Sequence, residues 1–265
     1  MNTLADAAFG ADPGRWPLRS ASTAEQHWLR AVAAGGQGRY AVGFAELESV
    51  SRTGAVSRTR AGDPTGSLAF STRASFLRQL GWHDSARQWD GRALAIAGSD
   101  VDARADALIG LAADALGVGR FALSARLLER AKEPVDATDS ARLPVRLAWV
   151  SAELAMFTGQ GAAAVGHAEH AVALAAPLGS VRHAVKSGVV LAAALCSAGS
   201  TERSQHVAEA ALEATERHGL VPLTWALACL LADIGSTSRA PEEIATLRDA
   251  SADVVRARGG VWSDR

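Results

Sequence analysis

The chain is 265 residues long and 48% apolar, yet only 5% aromatic, with a formal net charge of −1. It is long enough to bury a core of its own, and it lacks the basic footprint of a general nucleic-acid binder. Its longest apolar stretches, 189–196 and 225–232, fall well short of the roughly 20 residues that cross a bilayer.

Residues 1–22 hold Gly10, Pro13, Gly14 and Pro17 with little periodicity, and are expected to form a flexible N-terminal tail. The start carries Asp6 and Asp12, with no basic segment ahead of an apolar run, so it does not read as a signal peptide. Two cysteines, Cys196 and Cys229, give no disulfide framework. The expectation is a cytoplasmic protein with reduced thiols, no membrane contact and no cofactor; the oligomeric state stays open.

From Thr23 the pattern turns helical. Gly38, Gly81, Gly119, Gly159, Gly199 and Gly235 recur 36 to 43 residues apart. Seven residues before each stands an alanine: Ala31, Ala74, Ala112, Ala152, Ala192 and Ala228. Five residues after stands something small: Gly43, Ala86, Ser124, Ala164, Ser204 and Ala240. A fixed register marks a stack of one repeated unit, and small residues are needed where two antiparallel helices touch.

Each unit reads as a first helix ending near its glycine, a short turn and a second helix. In unit two, Leu68, Ala69, Ala74, Leu77 and Leu80 mark the first helix, and Ala86, Trp89, Ala93 and Leu94 the second. A glycine suits a helix end that turns left-handed. Ser99 with Asp102 fits a capping box opening the third unit. Breaks are expected near 38, 62, 81, 99, 119, 137, 159, 179, 199, 219 and 236, with a C-terminal tail at 259–265.

This layout resembles the tetratricopeptide repeat (TPR). Unit two is the best match, with Ala74, Gly81, Ala86 and the Ala93-Leu94 pair; unit five repeats the ending as Ala211-Leu212. Gly38-Arg39-Tyr40 and Gly119-Arg120-Phe121 reproduce the Gly-x-aromatic turn. The early tryptophan is absent: His27, Phe70, Leu108, Ala148, Gly188 and Thr224 stand there instead. The period exceeds the family's ~34 residues, and the closing proline is missing. The longer period is closer to the helical repeats of bacterial signalling and transcription-regulatory proteins than to eukaryotic co-chaperones, whose binding residues do not carry over. The resemblance implies an all-α fold over residues 23–258, a right-handed superhelix of about six TPR-like hairpins. It further implies a non-enzymatic scaffold or regulatory protein with a protein or peptide partner.

In such a superhelix the first helices line the concave face, through residues 13, 10, 6 and 3 before the marker glycine. Ten before stand Trp28, Ser71, Ile109, Trp149, Val189 and Trp225; thirteen before stand Glu25, Leu68, Asp106, Arg146, Lys186 and Pro222. Arg146, Trp149, Glu153 and Met156 form one stripe, with Lys186 on the next unit. With Trp225 these make the candidate partner groove. Indole surface beside two cations suits a peptide carrying an acidic or C-terminal carboxylate group. The competing reading is that the tryptophans only fill the inside of the array.

Other features carry less. His167, Glu169 and His170 share a helix, but zinc sites on one helix favour i,i+4 histidines and no further ligand is apparent; a solvated face and no metal are expected. Cys196 and Cys229 fall on the concave stripe as inert thiols. Gly35-Gly36-Gln37-Gly38 lacks the lysine and hydroxyl of a phosphate loop. Glu242-Glu243 follow Pro241 at a helix start, where they suit the dipole, and no nucleophile elbow is present, so no catalytic residue is assigned. Residues 109–132 also fit a helix-turn-helix, with Arg126 and Arg130 on the second helix, but they match the other units at Ala112, Gly119 and Ser124. A DNA-binding regulator using that segment, and a small-molecule sensor closing the tryptophan groove, are the alternative functions.

Overall fold

The computed structural model of the chain describes residues 3–53 and 62–264. Residues 1, 2 and 265, the outer ends of the two expected tails, lie outside the described residues. The described part is all-helical, with no strand. A short α1 (Thr3–Phe9) precedes six hairpins. These are α2 (Ala24–Gly36) with α3 (Tyr40–Thr53), α4 (Pro64–Gln79) with α5 (His83–Ile96), and α6 (Val101–Gly117) with α7 (Phe121–Asp136). They continue as α8 (Arg142–Phe157) with α9 (Gly161–Ala175), α10 (Val181–Ser197) with α11 (Thr201–Arg217), and α12 (Val221–Ile234) with α13 (Pro241–Ala257).

The marker glycines do the work the register assigns them. All six have positive φ, between 72° and 88°. In the first five units the residue after the glycine donates its amide back across the turn, as in Arg39 N to Ala34 O at 2.9 Å and Gln160 N to Ala155 O at 2.8 Å. That bond satisfies a carbonyl the helix end would otherwise leave open. The sixth unit departs: after Gly235 the turn is longer, and Glu209 gathers it by accepting from Ser236 Oγ at 2.6 Å and Ser238 N at 3.1 Å. Ala240 is therefore an exposed helix cap, whereas its five counterparts are buried. All six marker alanines are fully buried. The third unit is capped by Asp100, which accepts from Ala103 N at 2.8 Å, and not by the expected Ser99–Asp102 box. Asp102 instead accepts from the Thr138 hydroxyl.

Each first helix packs on its own partner and on the first helix of the next unit, from α2 through α12. The second helices pack mainly on neighbouring first helices. First helices therefore make the inner layer, which places the concave face on α2, α4, α6, α8, α10 and α12. Residues 109–132 are an ordinary hairpin of this array, α6 turning into α7, with Arg126 and Arg130 exposed.

Both terminal segments make contacts with the array. Leu4, Ala7 and Ala8 of α1 are buried against Leu29, Val32 and Ala33 of α2. Gln37 Nε2 donates to the carbonyls of Pro13 and Arg15 at 2.9 and 3.0 Å. At the other end, Ser263 N donates to Leu80 O at 2.8 Å and Trp82 Nε1 to Val261 O at 2.7 Å. Val255 and Trp262 join the core of Tyr40, Phe76 and Leu80, so the last unit touches the first two. The sequence hid this because the anchors are isolated apolar residues without periodicity, and single contacts with distant units leave no local pattern.

Candidate functional site

The concave strip runs along the N-terminal halves of α6, α8 and α10. Seventeen and thirteen residues before the marker glycine, unit three carries Asp102 and Asp106, unit four Arg142 and Arg146, and unit five Arg182 and Lys186. Residues four apart share one helix face, so each unit presents a like-charged pair and the stack sets acids beside cations. Asp106, almost buried, pairs with Arg146 and, at 3.3 Å, with Arg142. Asp102 is occupied by Thr138. Among the described residues Arg182 forms no ion pair; its guanidinium donates to Val32 O at 3.3 Å. The strip thus holds more cations than its acids neutralise. Burial opposes their charge and brings Arg142, Arg146 and Arg182 down to about 10, with neighbouring arginines adding to the effect at Arg146 and Arg182. They stay charged at neutral pH.

Trp149 lies at the centre. Its indole N–H donates to Ser187 Oγ on the next unit at 2.9 Å. Its face stacks on His183, with ring centroids 5.4 Å apart and 21° between planes. Lys186 Nζ sits 5.9 Å from the same ring and 3.5 Å from Glu153 Oε1. Met156 packs with Trp149 around Ala152 and Ala155. Arg146, Trp149, Glu153, Met156 and Lys186 therefore form the strip that their spacing indicates. Trp225 does not join it, stacking instead on Trp262 at 4.4 Å. Trp28 and Trp149 both donate to a hydroxyl on the following unit, Thr72 and Ser187, whereas Trp225 meets the C-terminal segment through Trp262.

Three participants escaped the sequence reading. Arg142, Arg182 and His183 lie one turn N-terminal to the residues it chose, and the i,i+4 pairs Arg142/Arg146 and Arg182/Lys186 were the available signal. His183 is buried, accepts or donates at Ser180 Oγ at 2.8 Å, and is pushed down to about 2 by burial and then by Arg182, Arg142 and Arg146. It is a neutral imidazole. Phe9 of α1 had no periodic context at all, yet its ring lies 5.5 Å from Trp28 and 6.1 Å from His183.

A second buried charge cluster lies between α4, α5 and α6. Arg78 pairs with Asp90 and, at 2.8 Å, with Asp114, both carboxylates fully buried. Gly110 makes room for it, since a Cβ there would overlap the Asp90 carboxylate. One guanidinium shared by two carboxylates does not offset their burial, and Asp90 is pushed up to about 7. Asp114 shifts upward for the same reason.

Elsewhere the chemistry is sparse. His167 and His170 are exposed, and no group of three or more metal-ligating side chains occurs among the described residues. Cys196 and Cys229 are free and half-buried. No helix of the described residues is long and apolar enough to cross a membrane. A cavity of about 890 Å³ opens on the outer side between α3 and α5, bordered by Phe70, Arg73, Trp89 and Arg92. It lies apart from the strip; residues 54–61 lie outside the described residues.

No family model matches the chain, and no curated protein matches it. A Rap protein solved in complex with competence and sporulation factor superposes with a TM-score of 0.67 at 11% identity, over 89% of this chain. The fold is a TPR-like helical repeat array. The match covers 64% of the Rap protein, so this chain spans less than two thirds of its length.

Proposed function

We propose that the chain is a non-enzymatic protein- or peptide-binding module, a scaffold or regulatory protein of the cytoplasm. Its partner enters the concave strip on α8 and α10. The observation that carries this reading is the surplus positive charge beside the half-buried indole of Trp149: Arg142 and Arg146 share the single carboxylate of Asp106, and Arg182 has no ion pair among the described residues. Burying cations without partners lowers stability, so a strip that keeps them is better matched to a ligand that supplies the missing carboxylate. Trp149 offers the apolar anchor, Arg146 and Lys186 the charge, and Glu153 and Met156 the wall. The Rap protein of like fold was solved with competence and sporulation factor, and its likeness supports a binding role for the superhelix.

The test is selection from a random peptide library, prepared once with free C-terminal carboxylates and once with C-terminal amides, on the immobilised protein. Acidic or carboxylate-ended peptides are expected to be enriched. Replacing Trp149 by alanine should weaken them by more than ~1 kcal/mol, and the Arg146→Ala, Lys186→Ala pair should weaken them in a salt-sensitive way. Selected peptides that bind a folded Trp149→Ala variant as well as the parent would overturn the assignment.

A further inference from the structure

The strip already has an occupant. Helix α1 crosses the mouth of the concave face, touching α2 of the first unit and α10 of the fifth. Its last residue, Phe9, sits in a cage drawn from three units: Trp28 on α2, Arg142 on α8, and Arg182 and His183 on α10. The guanidinium carbons of Arg142 and Arg182 lie 5.5 and 5.6 Å from the centre of its ring. Gly10 O accepts from Val181 N, at the first turn of α10, at 3.1 Å. Main chain and side chain of this one segment thus cover His183, on which Trp149 stacks, and the first turn of α10.

The fit is apolar but electrically incomplete. Cations over an aromatic face gain a quadrupole attraction, which is weaker than a charge-assisted bond to a carboxylate. Helix α1 brings none: Asp6 turns back to accept from Ala11 N at 3.0 Å, and Asp12 pairs with Arg15 at 2.7 Å. Arg182 is left without an ion pair among the described residues, and Asp106 is divided between Arg142 and Arg146. A seven-residue helix has no stability of its own in water. Three of the four residues by which α1 is buried or caged are alanine or leucine, and it is joined to α2 by a segment without helix, residues 10–23. Such an element opens at the low end of the local stability range.

We propose that the cage around Phe9 is a docking site for a peptide segment with an aromatic side chain next to a carboxylate, and that α1 is the resident competitor it displaces. This rests on the groove reading above and makes it specific. The entering aromatic takes the place of Phe9. Its carboxylate meets Arg142, Arg182 and the amide end of α10, which α1 serves only with a carbonyl. Affinity for the partner is then reduced by the fraction of molecules in which α1 is seated.

The experiment uses full-length protein and two labelled synthetic peptides with the sequence of residues 3–9, one ending at phenylalanine with a free carboxylate and the other with an amide. Binding is read by fluorescence anisotropy against the parent and Phe9→Ala, both checked by circular dichroism. The carboxylate peptide is expected to bind Phe9→Ala at least about tenfold tighter than the parent, and roughly fivefold tighter than the amide peptide. Adding Arg182→Gln should remove the second difference. As a measurement that needs no variant, saturating the parent with the carboxylate peptide should expose the amides of residues 4–10 to hydrogen exchange while α2 stays protected. Equal affinity for parent and Phe9→Ala, or equal affinity of the two peptides, would overturn the proposal. If library-selected peptides depend on Trp149 but are indifferent to Phe9→Ala, α1 is no competitor although the groove reading stands. If no peptide depends on Trp149, the groove reading itself falls.

Discussion

The two buried charge clusters use the same side chains to opposite ends. Between α4, α5 and α6, one arginine faces two aspartates, the carboxylates fully buried and the Arg78 side chain 11% exposed. Along α6, α8 and α10, three arginines and Lys186 face the three carboxylates of Asp102, Asp106 and Glu153 among the described residues, and 17–18% of the Arg142 and Arg146 side chains still reaches solvent. The first cluster is closed to solvent at its carboxylates and carries surplus acid, which burial answers by raising the proton affinity of Asp90 and Asp114. The second is open at one edge and carries surplus cation, which no proton can relieve because arginine does not give one up near neutral pH. The two clusters thus differ in the sign of the leftover charge and in access.

The largest difference between the two should appear on removing their arginines. Arg78→Met leaves Asp90 and Asp114 buried without a cation, and should cost about 3–5 kcal/mol in chemical denaturation. Adding Asp90→Asn and Asp114→Asn should return most of it. Arg182→Met keeps the stem over Phe9 and removes an unneutralised charge, so stability should move by less than about 1 kcal/mol either way. A large loss at Arg182 would make the strip structural after all.

A smaller effect separates the clusters by pH. Asp90 rises in the folded state to about 7, so between about pH 4 and 7 the native protein binds more protons than the unfolded chain, and stability falls as pH rises. His183 drops to about 2, so below about pH 6.5 the unfolded chain binds the extra proton, and stability falls as pH decreases. His83, lowered by burial, acts in the same direction as His183. The slopes oppose each other over the same window, each limited to about 1.4 kcal/mol per pH unit. His183→Gln should therefore reveal stability that declines from pH 4 to 6.5, and Asp90→Asn stability that climbs. Urea midpoints across that range decide it; parallel profiles for the two variants would mean that neither cluster titrates as assigned.

The smallest effect is expected at the exposed edge. Lys186 and Glu153 are 3.5 Å apart with about a third of each side chain in solvent, and such pairs contribute ~0–1 kcal/mol. Glu153→Gln should leave stability nearly unchanged while freeing Lys186 for a ligand carboxylate, tightening binding more at low salt than at high salt.

The fold was legible because a stack repeats its constraints: Ala152 and Ala192 occupy the same contact, and one glycine turn recurs in five units. The strip was half legible. Arg146, Trp149, Glu153, Met156 and Lys186 follow from the helical register, and the same register one turn earlier would have added Arg142 and Arg182. Trp225 lies apart from the strip because its ring stacks on Trp262 of the C-terminal segment, a contact the register does not encode. Phe9 and Trp262 were out of reach, since each sits in a segment without periodicity and meets residues far away in sequence. Arg78, Asp90 and Asp114 were unreadable for a different reason: their partnership depends on the depth at which three helices meet, which spacing along one helix does not encode.

One affinity measurement separates a partner site from internal packing. A library-selected peptide is titrated into the parent, Trp149→Ala and Trp225→Ala, each confirmed as folded. If the strip on α8 and α10 receives the partner, Trp149→Ala loses more than ~1 kcal/mol and Trp225→Ala, held against Trp262, binds like the parent. Equal affinity for all three, or a loss confined to Trp225→Ala, would contradict it.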